Sequence, residues 1–401
     1  MSVEVAEIFR LHGGQYGTQH PLDPHQKRAM RDIMLCRTAE LGGSVALCEH
    51  GCGYARISYH SCRNRHCPKC QSLQQVRWLH GRMLRLLPIH YFHTVATLPH
   101  ELNSLILHNQ ELLYDTLFRT ASSALLQLAR GYARLAAHVG FTAVLHTWDQ
   151  ELQFHPHLHI VVTGGGLDPS EGKWIPSKNS FLVPVKALSK LLRGKFLDAL
   201  EELFHRGDLR FSPTTKNLQH PQAFHRFLRK LRRKKWCVYS KGTLNGAQQA
   251  FGYLSRYTHR VAISNQRLLS CVDDQVTFRA RDNRSPGTHR TVTISAQEFI
   301  RRFLLHVLPP GFVRIRHYGL MAPRNAKTKL QLARRLILQM QHLPESQETQ
   351  NLQSRSQGWQ ELLKRLTGVD LTRCPICGGT LIPVALSLLQ TGPTPTILDS
   401  S

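Results

Sequence analysis

Closely spaced cysteines near the start of the chain constrain its fold more than any other feature. Six of the ten cysteines fall between residues 36 and 70, and two close pairs, Cys48/Cys52 and Cys67/Cys70, are separated by 14 residues. Four thiolates at such spacing are the ligands of a tetrahedral zinc site that is structural and takes no part in catalysis. We therefore predict a small zinc domain held by these four residues. The neighbouring residues leave a second or rearranged site open: Cys36, His60, Cys62 and His66.

A further pair, Cys374 and Cys377, lies near the other end of the chain. Alone it is half of a zinc site, and three interpretations remain open: a zinc knuckle completed by distant residues, a lone pair of thiols, or a tail that binds no metal. Cysteines clustered in pairs favour metal binding in a reducing compartment over a disulfide framework.

The charge balance indicates a polyanionic partner. The chain has 401 residues, room for two or three domains, and 52 Lys and Arg against 26 Asp and Glu give it a net charge of +26. Nucleic acid is the simplest such partner, and an anionic membrane surface is the alternative. No apolar run reaches the ~18 residues of a membrane-spanning helix. Met1–Val5 lacks the basic and apolar regions of a secretory signal, so we expect neither a signal peptide nor a membrane partner.

Histidines alternate at the start of an apolar segment. Residues 140–148 and 155–163 have the pattern of two strands joined by a short polar loop, which predicts a hairpin. In a strand, His155, His157 and His159 would share one face, about 6–7 Å apart along the chain. Neutral imidazole is a common metal ligand, and two histidines leave positions open for phosphate oxygens on a catalytic metal.

Two tyrosines, Tyr253 and Tyr257, stand four residues apart in a predicted helix over residues 245–257. Such a pair shares one helix face and more often belongs to a core than to an active site. Here its neighbours include Arg256 and Arg260, which are not core residues. A tyrosinate can attack a phosphodiester and conserve its energy in a phosphotyrosine.

Basic residues concentrate in two further places. Residues 224–235 predict a basic amphipathic helix, which either guides a nucleic-acid strand, with Trp236 stacking on a base, or is a solvated helix face. The cysteine cluster also contains arginines that would face a phosphate backbone. The candidate DNA-binding residues are Arg63, Arg65, Arg229, Lys230, Arg232, Arg233, Arg256 and Arg260.

With these motifs the chain resembles the two-tyrosine rolling-circle transposases of bacterial insertion sequences, within the HUH (His-hydrophobic-His) single-strand endonucleases. The resemblance covers most of the chain and is highly specific. It rests on five segments: Ser61–Gln71, Tyr91–His100, Phe154–His159, Tyr253–Asn265 and Arg314–Gly319.

The resemblance implies an α+β fold, with a central antiparallel sheet, flanking helices and a small zinc-binding domain before it. We expect a zinc-binding DNA-recognition domain over residues 1–90, a catalytic domain over 91–320, and a basic helix, linker and zinc-knuckle-like tail over 321–401. It also implies His157 and His159 as ligands of Mg²⁺ or Mn²⁺, Tyr253 and Tyr257 as nucleophiles, structural Zn²⁺, and single-stranded element ends and target as DNA partners.

Two departures from the family pattern leave ligands open. Three residues separate Cys48 from Cys52 where two are common, and Asp149 stands where the family usually has Gly. The third catalytic metal ligand is also open, with these candidates: His155, Asp149, Gln150 and Gln249.

Two functions other than transposition remain open from the sequence. A plasmid replication initiator or relaxase shares the nuclease chemistry, whereas a zinc-based DNA-binding regulator explains the charge and the cysteines without any catalysis. The zinc cluster that precedes the catalytic motifs favours the transposase. We accordingly expect a cytoplasmic, nucleoid-associated bacterial protein, with a homo-oligomer on DNA left open.

Overall fold

A computed structural model describes residues 3–70, 85–131, 135–170, 172–178, 181–242, 262–282, 287–342, 364, 370–384 and 396–397. The sequence also predicts a helix over residues 71–87, from apolar residues at three-to-four spacing, and a linker rich in Gln, Ser and Glu over 342–357. These two segments and the predicted tyrosine-bearing helix over 245–257 lie wholly or almost wholly outside the described residues.

The described helices are α1 (Val5–Gln19), α2 (Pro24–Leu35), α3 (Asn103–His108), α4 (Gln110–Gly131), α5 (Val185–His205), α6 (Pro221–Arg233), α7 (Ala296–Leu304) and α8 (Lys329–Met340). The strands are β1 (Gly43–Cys48), β2 (Tyr54–Tyr59), β3 (Tyr91–Thr97), β4 (His138–Trp148), β5 (Phe154–Leu167), β6 (Trp174–Pro176), β7 (Val238–Gly242), β8 (Leu268–Val272), β9 (Gln275–Arg281), β10 (His289–Ser295), β11 (Ile315–Gly319), β12 (Leu381–Val384) and β13 (Thr396–Ile397).

A six-stranded sheet forms the centre of the molecule, in the order β11-β4-β5-β3-β7, with β6 paired to β5. All of its pairings are antiparallel, which confirms the predicted α+β fold with a central antiparallel sheet. Two smaller sheets accompany it, in the orders β12-β1-β2-β13 and β10-β9-β8.

The predicted hairpin is the pair β4–β5, and Asp149 closes its turn. One carboxylate oxygen of Asp149 accepts the backbone N–H groups of Glu151 and Gln153, each at 2.8 Å. Leu152 in the same turn has a left-handed backbone, φ 63°. Since a short acidic side chain stabilises such turns through its own backbone, Asp149 has a structural role here.

The two faces of the central sheet have different coverings. On one face, side chains such as Phe92, Phe141 and Ile160 join the buried faces of helices α4, α5 and α6 in the largest core of the protein. On the opposite face lie the histidines, beside a smaller core in which Val144 and Val161 pack with α8. The sheet thus has a helical layer behind it and a polar site in front.

Strand β5 does not end at residue 163, the last residue of the predicted strand, because it continues through three glycines at 164–166 to Leu167 and pairs with β6. A Cβ atom at Gly164 would lie 2.4 Å from the ring of His90, and one at Gly165 would lie 2.5 Å from the carbonyl oxygen of Ile175. Glycine therefore permits close approach of neighbouring segments at this end of the sheet.

The division at residues 90 and 320 stays a prediction, and the described packing crosses both boundaries. Helices α1 and α2 share a core with α7, where the rings of Phe9 and Phe303 lie 5.2 Å apart. Strand β12 of the tail pairs with β1. Residues 322–341 have the pattern of a basic amphipathic helix, but helix α8 begins only at Lys329, and it covers the central sheet. No described helix is both long and apolar enough to cross a membrane.

Candidate metal centres and nucleic-acid surface

Three histidines meet on the front face of the central sheet. His157 and His159 alternate along β5, and His146 on β4 is the direct register partner of His157. Because residues two apart in a strand and direct cross-strand partners share a face, the three imidazoles converge. One ring nitrogen from each lies within 4.8 Å of the other two, and the Nε2 atoms of His157 and His159 are 3.1 Å apart.

The other ring nitrogens of two of these histidines have fixed partners. Nδ1 of His157 lies 2.6 Å from the carbonyl oxygen of His155, and Nδ1 of His159 lies 2.8 Å from Nε2 of His93. A donor hydrogen on each Nδ1 leaves the Nε2 lone pairs directed at the common centre. Partners of this kind set the tautomer and orientation of metal-binding histidines.

Burial keeps the imidazoles of His93, His157 and His159 in their neutral form. Desolvation lowers the pKa of His157 to about 4 and that of His93 to about 4, and it holds the pKa of His159 well below its ordinary value. Nitrogen ligands about 2.1 Å from a metal and at right angles to each other lie about 3.0 Å apart. The separation of the two Nε2 atoms, 3.1 Å, therefore fits an octahedral divalent ion.

The structure does not bring His155 into this group. Its backbone carbonyl orients His157 instead, and the third histidine of the group is His146. Asp149 is occupied in the hairpin turn. Gln249, Tyr253 and Tyr257 lie outside the described residues. Sequence reasoning missed His146, which lies in a predicted strand, and His93, which lies in the family-like segment Tyr91–His100.

Eight of the ten cysteines form two groups of four, which corrects the predicted set. Cys67 and Cys70 lie with Cys36 and Cys62, and Cys70 Sγ is 3.5 Å from Cys36 Sγ and 3.6 Å from Cys62 Sγ. The other predicted ligands, Cys48 and Cys52, lie instead with Cys374 and Cys377. The predicted grouping was wrong because sheet pairing and helix packing bring in cysteines from distant parts of the chain.

His66, named as an alternative ligand, is not in either group. Its Nε2 accepts the backbone N–H of Leu308 at 3.1 Å, and its Nδ1 lies 3.2 Å from Oδ1 of Asn64. The sulfurs of a tetrahedral zinc site with Zn–S bonds of about 2.3 Å lie about 3.8 Å apart. The first cysteine group fits this size without His66.

Comparisons with known proteins identify the family of the chain. Residues 140–329 match a family described as "Putative transposase", and residues 8–98 match the "Transposase zinc-binding domain" family of IS91 elements. "Putative transposase y4qJ" of Sinorhizobium fredii (strain NBRC 101917 / NGR234) is 44% identical over 99% of this chain and 98% of its own length. The chain belongs to the IS91 family of transposases.

A second relative of the transposase is the "Transposase for insertion sequence element IS801" of Pseudomonas savastanoi pv. phaseolicola. It is 27% identical over 88% of this chain and 82% of its own length. No solved structure matches the chain. Family membership favours a transposase over the predicted alternatives of a plasmid initiator, a relaxase or a non-catalytic regulator, and it agrees with structural zinc in the N-terminal region.

The transposase uses its two candidate arginines near the first cysteine group differently. Arg65 is half-buried, and its guanidinium donates to the carbonyl oxygens of Phe312 and Pro309, each at 2.6 Å. It therefore joins two parts of the fold, and its guanidinium is engaged there instead of facing a phosphate backbone. Arg63 is exposed.

Helix α6 presents its basic residues in two environments. Arg226, Arg229, Lys230 and Arg233 line one groove together with Lys234. Arg232 instead pairs with Asp198 at 2.9 Å and with Glu201 at 3.3 Å.

The apolar face of α6 belongs to the core behind the central sheet, so this groove does not lie on the histidine face. The predicted base-stacking role of Trp236 is wrong. Its side chain is 4% exposed and packs edge-on against Phe196, and its Nε1 donates to the carbonyl of Leu231.

Proposed function

We propose that this transposase nicks single-stranded DNA at the ends of its element, with a tyrosine as nucleophile and the histidine cluster as the holder of a divalent metal. The observation that carries the proposal is the convergence of three buried imidazoles, from His146, His157 and His159, on one sheet face. A structural zinc site would use thiolates, and two such groups already exist elsewhere in the chain.

In this proposal a bound Mg²⁺ or Mn²⁺ supplies Lewis-acid polarisation of the scissile phosphate. His157 and His159 would hold the ion through Nε2, with His146 as a third nitrogen donor. His93 and the carbonyl of His155 keep the rings of His159 and His157 in the tautomer that this requires.

The phenolic oxygen of Tyr253 or Tyr257 loses its proton and forms a bond to phosphorus, while the bond from phosphorus to the 3′ oxygen breaks. That oxygen takes up a proton and leaves as a free 3′ hydroxyl, so the protein remains on the 5′ side. A second tyrosine permits a second cut before the first covalent bond is resolved. Both positions come from the sequence motif, since they lie outside the described residues.

The test is a covalent adduct between the protein and a single-stranded oligonucleotide that carries an element end. A label on the 3′ end of the oligonucleotide should become linked to protein in the presence of Mn²⁺ and survive denaturing electrophoresis. Peptide mapping should find it on Tyr253 or Tyr257. EDTA, or His157→Ala, should remove the adduct but leave DNA binding intact.

Several results would refute parts of the proposal. An adduct that persists in the double variant Tyr253→Phe/Tyr257→Phe would exclude both nucleophiles, and one that forms in EDTA would exclude the metal. Label transferred from the 5′ end instead would mean a 3′ linkage and a different class of recombinase. Full transposition by either single tyrosine variant would show that one phenol suffices.

A further inference from the structure

The second cysteine group joins parts of the chain that are far apart in sequence. Cys48 and Cys377 are separated by 329 residues, yet their Sγ atoms lie 3.2 Å apart, and those of Cys52 and Cys374 lie 3.6 Å apart. All four sulfurs are within 4.8 Å of one another. Two disulfides would need pairwise contacts of about 2.0 Å and no common centre, whereas a zinc tetrahedron has S–S edges of about 3.8 Å.

Both cysteine pairs sit in tight turns that suit a shared metal. In the first turn the N–H of Gly51 donates to the carbonyl of Cys48 at 3.1 Å. In the second the N–H of Gly378 donates to the carbonyl of Cys374 at 3.0 Å. Gly51 and Gly378 have φ angles of 64° and 75°, a left-handed backbone that glycine adopts without strain. Each turn therefore directs its two thiols to the same side.

The two turns are held against each other by main-chain pairing. Strand β12 runs antiparallel to β1 with Cys48 opposite Leu381, and Glu49 N–H donates to the carbonyl of Thr380 at 3.0 Å. A Cβ atom at Gly379 would lie 2.8 Å from the ring of His50 and 3.1 Å from Cys48 Sγ, so the segments approach as closely as glycine allows.

Among the residues that the structure describes, this junction has few apolar contacts. The buried cluster consists of Cys48, Tyr54, Cys374 and Leu381. A core of this size is too small to order a segment by burial alone, and small domains of this kind depend on a metal or disulfides. Four cysteines without an open coordination position suit a structural rather than a catalytic ion.

We propose that the transposase holds a second structural zinc ion between Cys48 and Cys52 of the N-terminal sheet and Cys374 and Cys377 of the C-terminal segment. This ion completes the N-terminal domain with residues from the other end of the chain. The domain is then discontinuous in sequence, and loss of residues 370–384 destabilises it as directly as loss of β1.

Metal analysis of the purified full-length protein tests the stoichiometry. We expect two zinc ions per wild-type chain, one in Cys374→Ser/Cys377→Ser, and two in the matched control Cys237→Ser, because Cys237 is exposed and belongs to neither group. One zinc ion or none per wild-type chain, or two in the double variant, would overturn the proposal.

A second measurement does not depend on the stability of the variant. A protease site inserted between residues 350 and 360 allows the folded chain to be cut in solution. The C-terminal fragment should stay bound to the remainder, leave on treatment with 1,10-phenanthroline, and rebind when Zn²⁺ is restored. A fragment that stays bound through chelation, or one that separates while zinc remains at two per chain, would overturn the proposal.

Discussion

His93 offers a test of how the histidine cluster is built, because it acts on the metal site through another residue. Its Nε2 lies 2.8 Å from Nδ1 of His159, and the two rings are nearly parallel, with centroids 5.1 Å apart. In His93→Leu the Nδ1 hydrogen of His159 loses this acceptor. The tautomer with hydrogen on Nε2 then becomes more populated, and that form cannot bind the metal.

The expected loss follows from the hydrogen bond that is removed. Loss of a partner that orients a metal-binding histidine costs about 10–100-fold in metal affinity, or roughly 1.4–2.7 kcal/mol. This agrees with the cost of about 1–3 kcal/mol for a buried donor left without its acceptor. The Mn²⁺ concentration for half-saturation should therefore rise about 10–100-fold. His93→Gln retains a polar side chain there and should shift it less.

Titration with Mn²⁺, followed by the magnetic resonance signal of the free ion, measures this affinity without reliance on DNA cleavage. The matched control is His90→Leu, because the His90 ring lies 3.0 Å from the Ser177 hydroxyl and outside the cluster. Equal affinities for wild type and His93→Leu would refute the orienting role. Loss of all activity that excess Mn²⁺ cannot rescue would make His93 a ligand instead.

Three further outcomes follow from the surface and the zinc loop. Neutralising Arg226, Arg229, Lys230 and Arg233 together should weaken DNA binding, with the cleavage rate at saturating DNA unchanged. The slope of the logarithm of the binding constant against the logarithm of the salt concentration should become shallower by about 0.7 for each phosphate that the variant no longer neutralises. Arg232→Ala should have less effect, because Arg232 is already ion-paired. Tyr239 is 50% exposed and lies opposite Val95 on the histidine face, where its ring can stack on a base of a single strand. Tyr239→Ala should therefore weaken the binding of single-stranded DNA by about 1–3 kcal/mol, whereas Tyr239→Phe, which keeps the ring, should not. Fluorescence anisotropy measures both affinities. His66→Ala should lower the free energy of unfolding by about 1–3 kcal/mol, because the N–H of Leu308 loses its acceptor. The zinc content should stay unchanged, and a loss of zinc in this variant would mean that His66 is a zinc ligand.

Much of the fold was predictable because its signals are local. The pattern of apolar residues predicted β4 and β5, and an amphipathic pattern over residues 224–235 predicted most of α6. The polar residues between the two histidine-bearing segments predicted the hairpin. Each of these patterns needs only neighbouring residues to be expressed.

The partners across strands could not be predicted in the same way. His146 joins the cluster only because the β4–β5 register sets it opposite His157, and a shift of one residue would turn it to the other face. The second cysteine group depends on the contact of Cys48 with Cys377, which are 329 residues apart in the chain. The basic helix was predicted either to guide a nucleic-acid strand or to be a solvated face, and neither alternative says on which side of the sheet it lies. Its apolar residues place it in the layer behind the sheet.

The loop of the first cysteine group is also linked to the histidine cluster, through hydrogen bonds between its side chains and the backbone of a neighbouring segment. Arg65 and His66 bind the segment at residues 308–312, through the carbonyls of Pro309 and Phe312 and the N–H of Leu308. That segment leads into β11, whose pairing with β4 is extended by a bond from Leu145 N–H to the carbonyl of Arg314 at 2.9 Å. Leu145 precedes His146. Disorder of the zinc loop would therefore remove restraints from β4, the strand that carries His146. The zinc domain thus supports the geometry of the histidine cluster in addition to any contact it makes with DNA.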